Sequence, residues 1–481
     1  MANKIKEQGK VYTPNYIVKN ILNLAGYKGN NILKKHVIDN SCGDGAFLKE
    51  IVRRYCDNFL KNNNDLDLLK KHLEKYIHGI EIEKEEIENC KKNLNIIANK
   101  YGIKDVNFDL NCADALLVNK YNNLMDFVIG NPPYIRVHNF KEKYADFKNF
   151  MFSQEGMTDA YLVFYELGIK MLSKKGILAY ITPNSLYNSL AANIFRKFLV
   201  NNKKISKVVD LKHFQCFNAT TYTTILVLNN NINKKVEYYE FDENNLSSKK
   251  ISVLNYNDFY INNKFYFGTP KYLKEIRKIL TFKENKKYFE VKNGFATLND
   301  KVFIGNFDFK KFTIPIIKAS TGKYFKCIFP YKKDGSPIHY DEIKKDKNLY
   351  EYFEKSKHIL KKRDIEDDYA WWLFGRTQAI KDVYKSKIVI NSLIRNINDI
   401  KIYPLKEGVG VYSGLYILTS VDFKTVQQIL LSEDFINYIR ALSKYKSGGY
   451  YTFSSKDLQL YLNYKYSNII GDIENELFDN Y

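Results

Sequence analysis

Asp126-Phe127-Val128-Ile129-Gly130-Asn131-Pro132-Pro133-Tyr134 is an apolar run that halts at a turn and meets an aromatic ring. Phe127 to Ile129 predicts a buried strand. Gly-Asn-Pro-Pro cannot continue a β-ladder, so the strand ends there. Strand ends are where open α/β sheets hold their ligands. Asn131 brings an amide acceptor, and the Pro132 carbonyl is a second acceptor on a stiff backbone. Pro133 extends the turn, and Tyr134 offers a flat face. Two acceptors beside an aromatic plate suit a planar, amine-bearing base. Taken alone, the same tetrapeptide is equally a turn that caps a core strand, so its neighbours decide.

Upstream, Val11-Tyr12-Thr13-Pro14 opens the ordered chain. Thr13 is expected to cap a helix with Pro14 at its first position. That helix carries Ile17, Val18, Ile21 and Leu22 inward and ends at Gly26. His36 to Leu48 then reads as a short strand through Asp39, a turn Asn40-Ser41-Cys42-Gly43-Asp44-Gly45, and a new helix. The two glycines permit a tight turn, and the helix start offers free N–H groups to an anion. The spacing is not G-x-G-x-x-G, which disfavours a dinucleotide. A polar helical stretch over 57–75 precedes a second strand, Tyr76 to Ile82, with Glu81 near its end. Glu81 is placed to accept from ribose hydroxyls, or is a solvated strand-end carboxylate. A helix over 83–99 leads to a third strand and turn, Val106 to Leu116. There Asp114 either accepts from the exocyclic amine of a base or caps a helix. The opening stretch is the fourth strand. Four strands, each ending in a polar cluster, predict a parallel sheet with ligands along its carboxyl edge.

Downstream, a helix from Asp159 to Leu172, a strand over 176–184 and a helix near 191–199 continue the alternation. Val208–Leu211 and Tyr222–Leu228 read as closing strands. In the loop between them Phe217 is a second plate facing Tyr134, or a core residue. Phe214 is near enough to serve instead. Asn, Lys, Ser and Glu crowd residues 229–250, which reads as a boundary. The expected organisation is a catalytic domain over 1–235, a connecting segment over 236–285 and a second, mixed α+β domain over 286–481. In that second half basic and aromatic residues interleave. Arg363, Arg376, Gln378, Lys446 and Tyr450 are the candidate nucleic-acid contacts, since Arg and Gln pair with base edges and Lys with phosphates.

Composition narrows the class. A net charge of +21 on 481 residues favours a polyanionic partner, nucleic acid first. Compositional drift toward Lys and Asn contributes to the same charge. Six cysteines without a CxxC pair, and few histidines, predict neither a zinc site nor a disulfide framework, and a reducing cytoplasm fits. The polar N-terminus and the lack of a long apolar run predict no signal peptide and no membrane partner.

Taken in order, Tyr12-Thr13-Pro14, Asp39 to Gly45, Glu81, Asp114 and Asn131 to Tyr134 resemble the TaqI-like, gamma-type family of N6-adenine DNA methyltransferases. The likeness covers about the first 230 residues, and more loosely Gly294 to Phe303, Phe374-Gly375-Arg376 and Gly448 to Tyr451. It implies a Rossmann-like methyltransferase domain followed by a target-recognition domain, with S-adenosylmethionine as cofactor. By that resemblance Tyr12, Thr13, Asp39, Ser41, Cys42 and Gly43 hold its methionine end. Glu81 binds its ribose, Asp114 and Ala115 its adenine, and Ile82 packs on the ring. Asn131 borders both cofactor and target. The implied partner is duplex DNA, with the target adenine flipped out of the stack. A separately encoded restriction endonuclease is a functional companion, and a monomer is expected.

Other reactions fit less well. A C5-cytosine enzyme needs a Cys nucleophile after Pro, and Pro-Cys does not occur. N4-cytosine enzymes resemble this chain but carry Ser or Thr before Pro-Pro. A protein-glutamine methyltransferase shares NPPY without needing the long basic second half. RNA stays open as a substrate, and a nuclease ahead of Tyr12 is not expected.

Overall fold

A computed structural model describes residues 12–135, 147–217, 221–309, 311–363 and 370–479. The chain divides into two compact units, Met1–Arg277 and Lys278–Tyr481.

The first unit is built on nine strands: β1 Val37–Asp39, β2 Ile77–Glu81, β3 Asp109–Cys112, β4 Met125–Gly130, β5 Leu172–Pro183, β6 Ile205–Asp210, β7 Thr223–Asn229, β8 Val236–Asp242 and β9 Ser247–Leu254. They lie in the order β3-β2-β1-β4-β5-β7-β6-β8-β9. The first five in that order are mutually parallel, as the strand–helix alternation predicts. β7 runs antiparallel to both β5 and β6. The chain order reverses between β1 and β4, and such a switch point opens a crevice outside the strands' carboxyl ends.

Helices cover the sheet with apolar faces. Ala46–Phe59 buries Phe47, Leu48, Ile51, Val52 and Tyr55, and Asn15–Leu24 buries Ile17, Val18, Ile21 and Leu22. Thr13, expected to cap the latter helix, makes no capping hydrogen bond, and Pro14 holds the N-cap position. The polar stretch over 57–75 is two helices. The second, Leu66–Tyr76, starts where Asp65 accepts from the Leu68 N–H at 2.9 Å.

Of the connecting segment expected over 236–285, residues up to Arg277 are folded into the first unit and the rest belong to the second. β8 pairs with β6 in parallel, and β9 closes a hairpin on β8. Asn20 Nδ2 donates to Ser248 Oγ at 2.8 Å, and Lys207 Nζ to the Leu24 carbonyl at 2.7 Å. These bonds lash the sheet's far edge to the helix that begins after Thr13. The polar composition that suggested a linker belongs to an edge hairpin, where charge discourages strand-to-strand aggregation.

The second unit is mixed α+β. Phe289–Asn293, Leu415–Thr419, Lys387–Ile390 and Ile402–Leu405 form one four-stranded sheet, in that order. A second contains Thr313–Lys318 and Lys323–Ile328, and a third joins Leu393–Ile394, Tyr450–Thr452 and Tyr445–Lys446. Its core is aromatic: Phe295, Phe303, Phe329, Trp371 and Phe374 are buried together. No helix among the described residues is long and apolar enough to cross a membrane.

A fragment that stops at residue 235 strips β8 and β9 and bares the β6 edge. It should aggregate or melt well below a fragment carried through residue 280, where the helix Pro270–Leu280 ends. Circular-dichroism melts of the two fragments check this.

Candidate active site

A cavity of about 470 Å³ opens at the carboxyl edge of β1, β2 and β4. Every residue expected to hold the cofactor lines it: Tyr12, Thr13, Asp39, Ser41, Cys42, Gly43, Glu81, Ile82, Asp114, Ala115 and Asn131. Pro133 lines it too, while Pro132 is buried beneath.

Asp39 ends β1 and is 1 % exposed. Its Oδ1 accepts from the Ser41 N–H at 3.1 Å. Burial, with a smaller push from Glu81, raises its carboxyl to about 8. Gly130 ends the neighbouring β4, and a Cβ there would stand 2.6 Å from Asp39 Oδ1. Any larger residue at 130 would force the Asp39 carboxyl to move from its present position. The turn after β1 is set by Gly45, at φ +89°, where a Cβ would also strike Cys90 Sγ.

Glu81 is oriented entirely by backbone. Oε2 accepts from the Gly43 N–H at 2.9 Å, and Oε1 from Ile82 and Glu83 at 2.9 and 3.0 Å. Three donors on a carboxylate of about four acceptor sites leave roughly one open. Ile82 is 51 % exposed, so it is an aliphatic surface on the cavity and not core. Asp114 caps a short 3₁₀ turn, its side chain accepting from the Leu116 N–H at 3.1 Å, and it also lines the cavity.

Thr13 finds its partner across the site. Asn131 Nδ2 donates to Thr13 Oγ1 at 3.2 Å, and Ser41 Oγ donates to the Asn131 carbonyl at 3.4 Å. The Asn131 side-chain amide is therefore held from the N-terminal segment, and its backbone carbonyl from the β1 turn. Tyr134 donates to the Ile181 carbonyl at 3.0 Å, and burial lifts its phenol well above the usual range.

Phe217 does not face Tyr134 as a plate. It is 7 % exposed in the core and meets the Tyr134 ring edge-on, with centroids 6.2 Å apart at 72°. A base sandwiched between two rings needs parallel faces about 7 Å apart, two aromatic contact distances. Phe214 is also engaged, stacked on Phe241 at 4.7 Å. Apolar packing against the sheet has claimed both rings.

Several lining residues carried no sequence signal of their own. Asn40 is 1 % exposed, and its Oδ1 accepts from the buried Tyr180 hydroxyl at 2.7 Å. Glu86 accepts from the Tyr12 hydroxyl at 3.2 Å. Ala160 and Phe164 line the wall from one face of the helix Ala160–Met171, a spacing legible in sequence once that helix is known to flank the site. Phe147 completes that side.

In the second unit the predicted contacts divide. Arg363 is not available to a base: its guanidinium donates to the carbonyls of Leu360, Thr297, Trp371 and Leu373 and ties a loop to the core. Arg376 and Gln378 are exposed on a loop whose main chain pairs with Ala296. Lys446 is exposed, and Tyr450 is partly covered.

Residues 22–217 match the family model described as Eco57I restriction-modification methylase. The chain is 26% identical to the Type II methyltransferase M.BstVI of Geobacillus stearothermophilus, over 74% of this chain and 72% of that protein. It is 25% identical to the Type II restriction enzyme and methyltransferase RM.Eco57I of Escherichia coli, over 88% of this chain and 53% of that one. In fold it resembles the Type IIL restriction-modification enzyme MmeI, solved in complex with DNA. The TM-score is 0.66 at 14% identity, covering 91% of this chain and 63% of MmeI. The chain thus spans only about half to three quarters of the length of these proteins.

Unfolded, Asp39 titrates near 3.8; folded, it titrates near 8. Its contribution to stability is therefore largest below pH 3.8 and is lost as pH climbs to about 8. Asp39→Asn removes this dependence. Its melting temperature relative to wild type should rise by several degrees between pH 4 and pH 8, and melts across that range check the sign.

Proposed function

We propose that this chain, whose residues 22–217 form an Eco57I-like restriction-modification methylase domain, methylates the N6 amine of an adenine in duplex DNA with S-adenosylmethionine as donor. The observation that carries this is the Asn131 amide, clamped by Thr13 beside a cavity walled by Asp39, Glu81 and Asp114 at the sheet's switch point.

The cavity suits that cofactor. Its acidic wall matches a ligand with ammonium and sulfonium charge, hydroxyl donors and a base amine. Asp39 with the Ser41–Gly43 turn takes the amino-acid end. Glu81 uses its open acceptor site for the ribose, Asp114 meets the base amine, and Ile82 covers the ring. When bound, the cofactor supplies an electrophilic methyl group.

The protein's task is then to prepare the nucleophile. An exocyclic adenine amine is a poor one, because its lone pair is delocalised into the ring. Asn131 and the Pro132 carbonyl accept its two N–H bonds and draw the nitrogen toward tetrahedral geometry, which localises the lone pair. Thr13 keeps the Asn131 amide from rotating away and Ser41 fixes its backbone, so positioning supplies most of the rate. No strong base is required, since the amine proton becomes acidic as the new bond forms. The base reaches the site only after leaving the duplex, at a cost of a few kcal/mol, and a stacking contact on Tyr134 returns about 1–3 kcal/mol. Asn131 favours adenine over cytosine N4, whose enzymes carry Ser or Thr at that place. The second unit selects the site through exposed groups such as Arg376, Gln378 and Lys446. We take the chain to act as a monomer, with a restriction endonuclease as its companion.

Transfer of labelled methyl to duplex DNA, and not to RNA or protein, tests the proposal; no incorporation into any DNA sinks it. Asn131→Ala should lower methylation at least about a hundredfold while cofactor affinity stays within a few-fold, measured by single-turnover kinetics and calorimetry. Glu81→Ala should instead weaken cofactor binding about tenfold or more, the cost of one charge-assisted hydrogen bond. An unchanged dissociation constant would place the cofactor elsewhere.

A further inference from the structure

The segment 391–401 in the second unit is a stapled loop that no motif announced. The buried Asn391 amide donates to the Leu393 carbonyl at 2.8 Å and to the Asp399 carbonyl at 2.9 Å, and accepts from the Lys401 N–H at 2.8 Å. Asn396 caps the 3₁₀ turn Ile397–Asp399 through the Asn398 N–H at 3.0 Å. Leu393–Ile394 pairs with Tyr450–Thr452, which ties the loop to the Gly448-Gly449-Tyr450 turn.

Arg395 sits on this platform. Its Nε donates to Asp399 Oδ2 at 2.8 Å and its Nη2 to Asp399 Oδ1 at 3.1 Å, while its own backbone N–H donates to Oδ2 at 3.0 Å. The guanidinium lies 4.4 Å over the Tyr450 ring. Asp399 thus takes the Nε side of the fork. The outer edge, one N–H from each terminal nitrogen, has no bonded partner among the described residues and belongs to a side chain that is 47% exposed. An exposed ion pair four residues apart adds little stability. A guanidinium seated over a ring and locked in rotation by a carboxylate is instead a preorganised bidentate donor.

We propose that Arg395 reads a guanine of the target site, its outer edge donating to O6 and N7, with Asp399 and Tyr450 as positioning residues. Arginine to guanine is the commonest base contact in the major groove, and its geometry is this fork. Lys446 pairs with Tyr450 across the adjoining strands and is exposed, placed for a backbone phosphate beside the read base. Tyr450, expected to touch DNA directly, is the plate under the reader. The inference rests on the proposed methylation of DNA.

Single-molecule sequencing of DNA from cells expressing the full chain gives the wild-type motif. In Arg395→Ala, preference for guanine at one motif position should fall about 10- to 100-fold while the other positions are kept. Arg395→Lys keeps the charge but not the fork, guards against a folding defect, and should show the same loss. In a synthetic duplex, 7-deazaguanine at that position removes the N7 acceptor and should cost the wild type part of that factor and Arg395→Ala nothing further. A motif and rate left intact by both substitutions overturn this inference alone. A wild-type chain that methylates no DNA overturns the proposed function and this inference with it.

Discussion

β1 and β4 end side by side, and between Gly130 and Asp39 Oδ1 there is room for a hydrogen and nothing larger. The rest of the site depends on that approach. It brings the NPPY turn against the acid that closes the β1 turn, and it does so at the point where the sheet's order reverses. Any side chain at 130 would displace the Asp39 carboxyl from the cavity wall. The constraint is steric, yet its result is chemical: the Asn131 amide and the Asp39 and Glu81 carboxyls share one rim.

Electrostatics supply the second layer. Asp39 is buried with little but one backbone N–H to support its charge, so the native fold prefers it protonated at neutral pH. Glu81, by contrast, receives three backbone N–H groups from the turns around it. Two carboxyl groups on neighbouring strands thus face one cavity with different demands. A cationic ligand would settle the first and an uncharged hydroxyl the second. The fold has set that asymmetry before any ligand arrives.

The two units handle polar groups differently. In the first, buried hydroxyls and amides such as Tyr180 and Asn40 bond to one another beneath the site. In the second, apparently similar arginines have opposite fates. Arg363 is consumed by four carbonyls, and Arg395 keeps its outer edge in solvent. Residue type and local composition did not separate them; the loop each belongs to did.

The sequence by itself determined the parallel core, the order of its strand ends and the strand-end residues that line the cavity, though not Asn40, Glu86, Phe147, Ala160 or Phe164. Strand ends in a parallel sheet converge on one edge, so Asp39, Glu81, Asp114 and Asn131 are bound to meet wherever the alternation holds. It also placed Thr13 in the site, though as a cap, because a hydroxyl before proline looks the same locally whichever partner it takes. Only tertiary structure decided that Thr13 holds Asn131 from 118 positions away. Only tertiary structure decided that the polar stretch after residue 235 is an edge hairpin of the sheet, and that Phe217 is core. These outcomes turn on long-range packing and on which partner a hydroxyl, a guanidinium or a ring finds first. No local pattern encodes that competition.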